Sequence, residues 1–467
     1  MTQFAPVTSD FIVALRGILG SDSVSISQAD LDLHARDQSH HHAHQPDVII
    51  YPSNAEQVAA ALRLTNEAHI PVTAWGVGTG LEGNSIAVFG GLLVSFERMT
   101  RIVAVYADDF QVVVEPGIGH KDLNAQLARY GLFFPPDPGA NATIGGMLAN
   151  NAAGIRTVKY GATKDNVLQM QVALADGRLI DVGSRSVKQS SGYDLLHLFV
   201  GSEGTLGLIT KATLKLVPVP TMMSAVVAAF PTVEAAVETV VAVRGSGLDP
   251  AALELIDAAH TRMLRETEGV DLSDHPTLFM EFHAAYACAL EEGLATVQEI
   301  CEDAGALSFR STTDPAERKR LWHARHASYE IMVRSHPGFG FFIMDVAVPI
   351  SAYPELIGYV EQLKRETGTT AYMIGHAGDG NVHVEFPFAD RAEYAHAMRL
   401  NDMIVVKALE LGGTATGEHG VGIGKARFME REHGAALDVM RTIKAALDPK
   451  GILNPGKLFP EDVPVEE

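Results

Sequence analysis

Three runs of glycine and other small residues, all lying between positions 75 and 209, limit what this chain can fold into more than any other feature. The first, Trp75-Gly76-Val77-Gly78-Thr79-Gly80-Leu81-Glu82-Gly83-Asn84-Ser85, follows the extended-type run Pro71-Val72-Thr73-Ala74. Four glycines leave its backbone bare, so consecutive N–H groups can turn inward and hold phosphate oxygens. Its G-x-G-x-G spacing has no P-loop lysine and is not G-x-G-x-x-G, which argues against a standard Rossmann site. On its own this run serves equally well as a tight turn. The second run extends from Pro135 to Gly154 and includes Asn141-Ala142-Thr143-Ile144-Gly145-Gly146-Met147. It has few side chains to fill a core, and suits backbone that closely approaches a large planar ligand. Gly201-Ser202-Glu203-Gly204-Thr205-Leu206-Gly207-Leu208-Ile209 repeats the style. Three such runs favour an extended dinucleotide over a single phosphate, with a turn-rich scaffold as the alternative.

The 467 residues exceed one ordinary core, so at least two domains are expected. Asn54 followed by AEQVAAALRLTNEAH reads as a capped helix between extended runs at 48–52 and 71–75, an α/β start with a parallel pair. Strand-like runs recur at 92–96, 102–106, 111–115, 170–174 and 207–216, with a short helix at 121–129, a mixture typical of an α+β fold. Val217-Pro218-Val219-Pro220 is stiff and poor in donors, and ends a first domain, 1–220. A second α+β pattern fills 221–454. The turn-rich Leu447–Gly456 stretch then leads into a segment, 455–467, that returns to the first domain.

Composition excludes several classes. No run of roughly 18 uncharged apolar residues is present; Phe339–Ile350 comes nearest but contains Asp345. Met1–Asp10 has neither a basic nor an apolar stretch of the secretory kind. Cys288 and Cys301 are the two cysteines, too few for a disulfide framework or a thiolate cluster. These features suit a cytoplasmic chain, with peripheral attachment at an inner membrane compatible. The net charge of −21 repels nucleic acid and anionic lipid, so an anionic substrate needs a local positive cluster.

Between two apolar runs, His376-Ala377-Gly378-Asp379-Gly380-Asn381-Val382-His383 carries the Asp-Gly signal of a hairpin. With Asp379 and Gly380 central, His376 and His383 fall opposite one another, with Cβ atoms roughly 4.5–5.5 Å apart. Two imidazoles so placed can share a divalent ion, and Glu418 of Thr416-Gly417-Glu418-His419-Gly420-Val421-Gly422 offers a third ligand. His419, the next residue, points elsewhere and can act as a base, given an ordinary imidazole pKa of about 6.5. The alternative is a hairpin with buried histidines beside a plain glycine loop. Zn, Mn and Fe all suit such ligands. Arg325, in Leu321-Trp322-His323-Ala324-Arg325-His326 on a helix starting near Asp314-Pro315, can grip a carboxylate bidentately or can simply be a surface arginine. His40-His41-His42-Ala43-His44 reads as a solvated loop.

From about Pro46 to Pro460 these motifs resemble the FAD-linked oxidase family with the vanillyl-alcohol-oxidase (PCMH) type of flavin domain, in its D-lactate dehydrogenase branch. The resemblance implies a two-subdomain FAD-binding domain plus an α+β substrate (cap) domain. It implies that Gly76, Val77, Gly78, Thr79, Gly80, Asn84 and Ser85 hold the FAD pyrophosphate. Pro136, Asp137, Gly139, Thr143, Gly145, Gly146, Asn150, Gly154, Glu203, Gly204 and Ile209 would line the isoalloxazine and adenine ends. Relatives that tether flavin use a histidine in the first loop; none stands here, so non-covalent FAD is expected. The same resemblance makes Arg325 the substrate-carboxylate residue. With His376 and His419 it would hold substrate; His376, His383 and Glu418 would hold the metal, and His419 would be the catalytic base. Relatives acting on D-2-hydroxyglutarate carry a lysine where this chain has Ile343, so a D-2-hydroxy monocarboxylate, D-lactate or a larger apolar acid, is expected. Cytochrome c, a quinone or an electron-transfer flavoprotein would accept the electrons, and a homodimer is compatible. The alternatives are a glycolate oxidase FAD subunit, a metallohydrolase built on His376, His383 and Glu418, and a non-enzymatic flavin-binding module.

Overall fold

The computed structural model describes residues 4–269 and 271–460. The chain forms two compact units. The first comprises Met1–Ala153, Ala162–Pro218 and Glu418–Glu467; the second comprises Gly154–Gly161 and Val219–Gly417. Residues 418–454, assigned from sequence to the second domain, therefore pack in the first unit. Of the expected returning segment 455–467, residues 461–467 lie outside the described residues.

The first unit has two main sheets. Strands Val24–Ser25, Val48–Ile50, Leu92–Ser95 and Val72–Trp75 form one, in that order. The strands on either side of the 55–68 helix are both parallel to Leu92–Ser95, which lies between them, rather than paired directly. Asn54 Oδ1 caps that helix by accepting the Gln57 N–H at 2.9 Å, and Val58, Ala61, Leu62 and Thr65 put its apolar stripe into the core. Residues 453–454 join this sheet, where Leu453 pairs in parallel with Val72 and Asn454 N–H donates to Val72 O at 2.7 Å. The other sheet runs Ile102–Tyr106, Gln111–Val114, Leu208–Lys215, Val167–Ala173, Leu179–Gly183, antiparallel throughout. Its inward residues, Val112, Val114, Met170, Val172 and Leu214, are fully buried against Ile144, Met147 and Leu148.

The second unit is built on a seven-stranded antiparallel sheet ordered Ser308–Thr312, Met222–Ala229, Thr277–Ala284, Pro250–Ile256, Tyr372–Gly375, Asn381–Phe388, Gly340–Ala347. Strand alternation gives one face the apolar residues Val227, Ile256, Phe279 and Ile374, which pack with Met263, Leu264, Leu321, Trp322, Ile331 and Met332 from helices at 258–268, 315–326 and 328–335. The same alternation puts Glu254, Glu281, His383, Glu385 and Asp345 on that face.

The hairpin register differs from the sequence expectation. His383 pairs with Ile374, not with His376, and on its other side with Asp345. The type I′ turn that Asp-Gly favours needs positive φ at both central positions, but of Asp379 and Gly380 only Gly380 is left-handed, at 70°. Ala377–Asp379 instead form a single 3-10 turn, widening the connection. The shift is two residues, so His376 stays on the His383 face, with ring centroids 5.5 Å apart.

Candidate flavin cavity and histidine–carboxylate cluster

In the first unit the three small-residue runs meet around a cavity of about 230 Å³. Of the residues expected to hold a dinucleotide, Gly76, Val77, Gly78, Thr79, Gly80, Asn84, Ser85, Gly139, Thr143, Gly145, Gly146, Asn150, Glu203, Gly204 and Ile209 line it. Pro136, Asp137 and Gly154 do not, and Gly154 belongs to the second unit. Trp75, Pro138, Met147 and Leu208 add apolar surface. The runs are held together closely. A Cβ on Gly76 would overlap Thr143 Oγ1, and one on Gly145 would lie 2.7 Å from the Pro116 side chain. Thr143 Oγ1 accepts the Gly146 N–H at 3.2 Å, capping the Ile144–Asn150 helix. Bare backbone, apolar side chains and amide donors around one cavity fit a flavin dinucleotide.

Glu418 and His419 also line this cavity. Asn150 Nδ2 donates to the His419 carbonyl at 3.2 Å, and Ile423 N–H donates to Glu82 O at 2.8 Å. Burial pushes the Glu203 carboxyl up, against the opposing pull of Asn84, two backbone amides and Lys457. Lys457 is itself fully buried, and burial lowers its ammonium to about 7. The histidine run departs from the expected solvated loop. His40 and His41 are half-buried, their rings 4.3 Å apart, and burial lowers His40 to about 3.

In the second unit Glu254 organises the cluster. It sits in a strand whose every residue is buried, and is itself 0% exposed. Arg325 donates through Nε at 3.0 Å and through Nη2 to its Oε2, while His376 Nδ1 lies 2.8 Å from Oε1. Burial alone would push the Glu254 carboxyl up, but the charges of His376 and Arg325 hold it below the usual range. His383 Nε2 is 3.3 Å from Asp345 Oδ1. Asp345 also accepts from Asn381 Nδ2 at 2.7 Å, Thr416 Oγ1 at 2.9 Å and Gly417 N–H at 2.7 Å. The fully buried strand position Glu385 faces Tyr372 on one side and Ile343 on the other, and burial raises it to about 7.

Arg325, from the 315–326 helix, thus meets His376 at Glu254, and the His376 and His383 rings lie side by side. Glu254, Asp345, Asn381 and Glu385 were missed as site residues. The available signal was a lone charge inside an apolar strand, as in AALELI and VHVEF, since an unpaired charge is seldom buried there.

The family profile described as FAD binding domain matches residues 46–183, and that described as FAD linked oxidases, C-terminal domain, matches residues 219–458. The chain is 38% identical to the probable mitochondrial D-lactate dehydrogenase of Danio rerio, over 96% of this chain and 91% of the relative. It is 37% identical to the mitochondrial D-lactate dehydrogenase [cytochrome] of Arabidopsis thaliana, over 99% and 82%. It is 32% identical to glycolate oxidase subunit GlcD of Bacillus subtilis, over 98% of each. Among solved structures, p-cresol methylhydroxylase with substrate bound superposes with a TM-score of 0.79 at 16% identity, over 98% of this chain and 99% of that one, which bears out the PCMH-type fold. With both halves of the chain matched and full-length relatives above 30% identity, this chain belongs to the FAD-linked oxidase family and is a flavin-dependent oxidoreductase.

Proposed function

We propose that the chain oxidises D-lactate, or a closely related D-2-hydroxy monocarboxylic acid, to the 2-keto acid. The observation that carries this reading is the buried Glu254, which holds the Arg325 guanidinium and the His376 imidazole side by side. The names of the Danio rerio and Arabidopsis thaliana relatives support the substrate. FAD, held without a covalent bond, supplies the acceptor for the hydride leaving C2. Arg325 spends its Nε and Nη2 edge on Glu254, so its Nη1 edge receives the substrate carboxylate. His419, on the cavity lining, takes the hydroxyl proton as the bond to hydride breaks. Ile343 offers no cation for a second, distal carboxylate, and its cross-strand neighbour Glu385 is an acid that offers none either.

The residues also fit a divalent ion on His376, His383 and Glu418. Glu254 accepts the Nδ1–H of His376 and so directs Nε2 outward as a ligand atom, the arrangement metal-binding histidines usually have. Gly417 is moored to Asp345, the cross-strand neighbour of His383, and Glu418 follows directly in the chain. Zinc, manganese or iron there would supply a Lewis acid for the substrate hydroxyl. The electron acceptor is a cytochrome, a quinone or an electron-transfer flavoprotein, the first supported by the name of the Arabidopsis thaliana relative. We place the chain in the cytoplasm or peripherally at a membrane, working as a homodimer.

Anaerobic mixing of the purified holoprotein with D-lactate, L-lactate, glycolate and D-2-hydroxyglutarate tests this reading. D-lactate should bleach the flavin and the other three should do so poorly. An oxidised spectrum that survives D-lactate sinks the reading. Faster bleaching by glycolate would replace it with the glycolate oxidase alternative, favoured by the Bacillus subtilis relative.

A further inference from the structure

We infer that Glu203 is a positioning residue for the loop carrying Glu418 and His419, rather than a flavin ligand; this rests on reading His419 as the base. Both carboxylate oxygens are turned to that loop. Oε1 accepts the Val421 N–H at 2.6 Å, and Oε2 accepts the Gly422 N–H at 2.9 Å together with Asn84 Nδ2 at 2.7 Å. Two successive backbone amides on one carboxylate fix the Gly420–Val421 and Val421–Gly422 peptide planes. The Asn150 bond to the His419 carbonyl fixes the His419–Gly420 plane just before them. Three consecutive peptide planes directly after the His419 Cα are thus held.

The surroundings are built for this grip. Glu203 is 5% exposed and adopts a left-handed φ of 51°, a conformation that favours glycine, so a carboxylate is kept there against a backbone penalty. A Cβ on Gly420 would lie 2.8 Å from Asn84 Nδ2 and 3.0 Å from Glu203 Oε1, so the loop backbone rests directly on the pair. Asn454 Nδ2 donates to both backbone carbonyls, Glu203 O at 2.7 Å and Asn84 O at 2.9 Å, and so holds the two gripping residues in step. Lys457, 1% exposed, is tied to Ile86 O at 2.8 Å beside the same loops. Glutamine at position 203 would offer one acceptor oxygen, and its amide would face a backbone N–H donor against donor.

The test compares wild type, Glu203→Gln and Glu203→Asp as FAD-loaded proteins. Three quantities are read: bound FAD per chain, hydrogen exchange at the 421–422 amides, and the limiting rate of anaerobic flavin reduction against D-lactate concentration. Glu203→Gln should keep its FAD and exchange these amides about tenfold faster, as a charge-assisted bond becomes neutral. Its limiting rate should fall about a hundredfold, the cost of a misplaced group, with little change in half-saturating D-lactate. Glu203→Asp, which keeps the charge, should recover part of both. A wild-type limiting rate or wild-type exchange in Glu203→Gln overturns the inference. FAD loss from both variants also overturns it, and returns Glu203 to cofactor binding. If D-lactate fails to reduce the wild-type flavin, the substrate reading falls, and exchange and FAD content still decide the role of Glu203.

Discussion

At the residue scale, one carboxylate sets the orientation of two candidate site side chains, Arg325 and His376. Glu254 is shared by Arg325 and His376, so Glu254→Gln leaves a buried guanidinium without its counter-charge. Breaking a buried pair this way costs about 3–5 kcal/mol. The variant should therefore melt well below wild type and bind D-lactate weakly even where it stays folded, as thermal scans and flavin-bleaching titrations would read. His419→Ala removes a proton acceptor without touching the glycine loops. It should retain FAD while flavin reduction slows by roughly two to four decades; near-normal reduction in stopped flow would exclude His419 as the base. The nearness of His376 and His383 was legible from the hairpin that joins them, whereas Arg325 was singled out through the family resemblance and not by its residue type alone. Glu254, Asp345 and Glu385 were not legible, because a single acid in a strand states its role only through the partners the fold brings to it.

At the scale of elements, the strands and helices of the first unit were readable where caps and alternation were strong, as with Asn54 ahead of Ala55–Ala68. The hairpin was readable as a hairpin but not in register. Asp-Gly predicts a two-residue turn from local preference, whereas the chain inserts a 3-10 turn before Gly380. Because strand faces repeat every two residues, the two-residue difference left the imidazoles on one side. The bend at Thr416-Gly417 is similarly constrained. A Cβ on Gly417 would overlap Asn381 Nδ2 and lie 2.8 Å from Asp345 Oδ1. Gly417→Ala should displace the segment leading to Glu418, lowering metal content on elemental analysis while FAD content holds.

At the scale of the whole molecule, the antiparallel second sheet and the glycine-lined first unit together matched the α+β, PCMH-type expectation. The ends of the units were harder to read, because contacts and not composition decide where 154–161 and 418–454 belong. Acid sensitivity follows from Glu281. Burial would raise its carboxyl, but the hydrogen bond from His283 and the charge of Arg156 hold it down to about 2, from 4.5. A depressed folded pKa contributes stability that is present above the unfolded value and lost as pH falls from 4.5 towards 2. Glu281→Gln should therefore flatten the dependence of the urea midpoint on pH across that window. Free FAD at a hundred times its Kd should stabilise the apoprotein by about 2.7 kcal/mol, seen as a rise in Tm. Heat-denatured holoprotein should release its flavin into the supernatant, and a covalently retained colour would contradict this.

The short stretch Gly154–Gly161 has an implication for anyone dividing this gene. Its Arg156, Lys159 and Tyr160 reach Glu281, Asp249 and His283 of the second unit, yet the stretch is spelled out amid residues of the first. A fragment cut at 219–417 would therefore lack a patch of its own fabric, leaving Glu281 shorn of its arginine. Neither half can be transplanted as a contiguous cassette, so shuffling among relatives must exchange both pieces together.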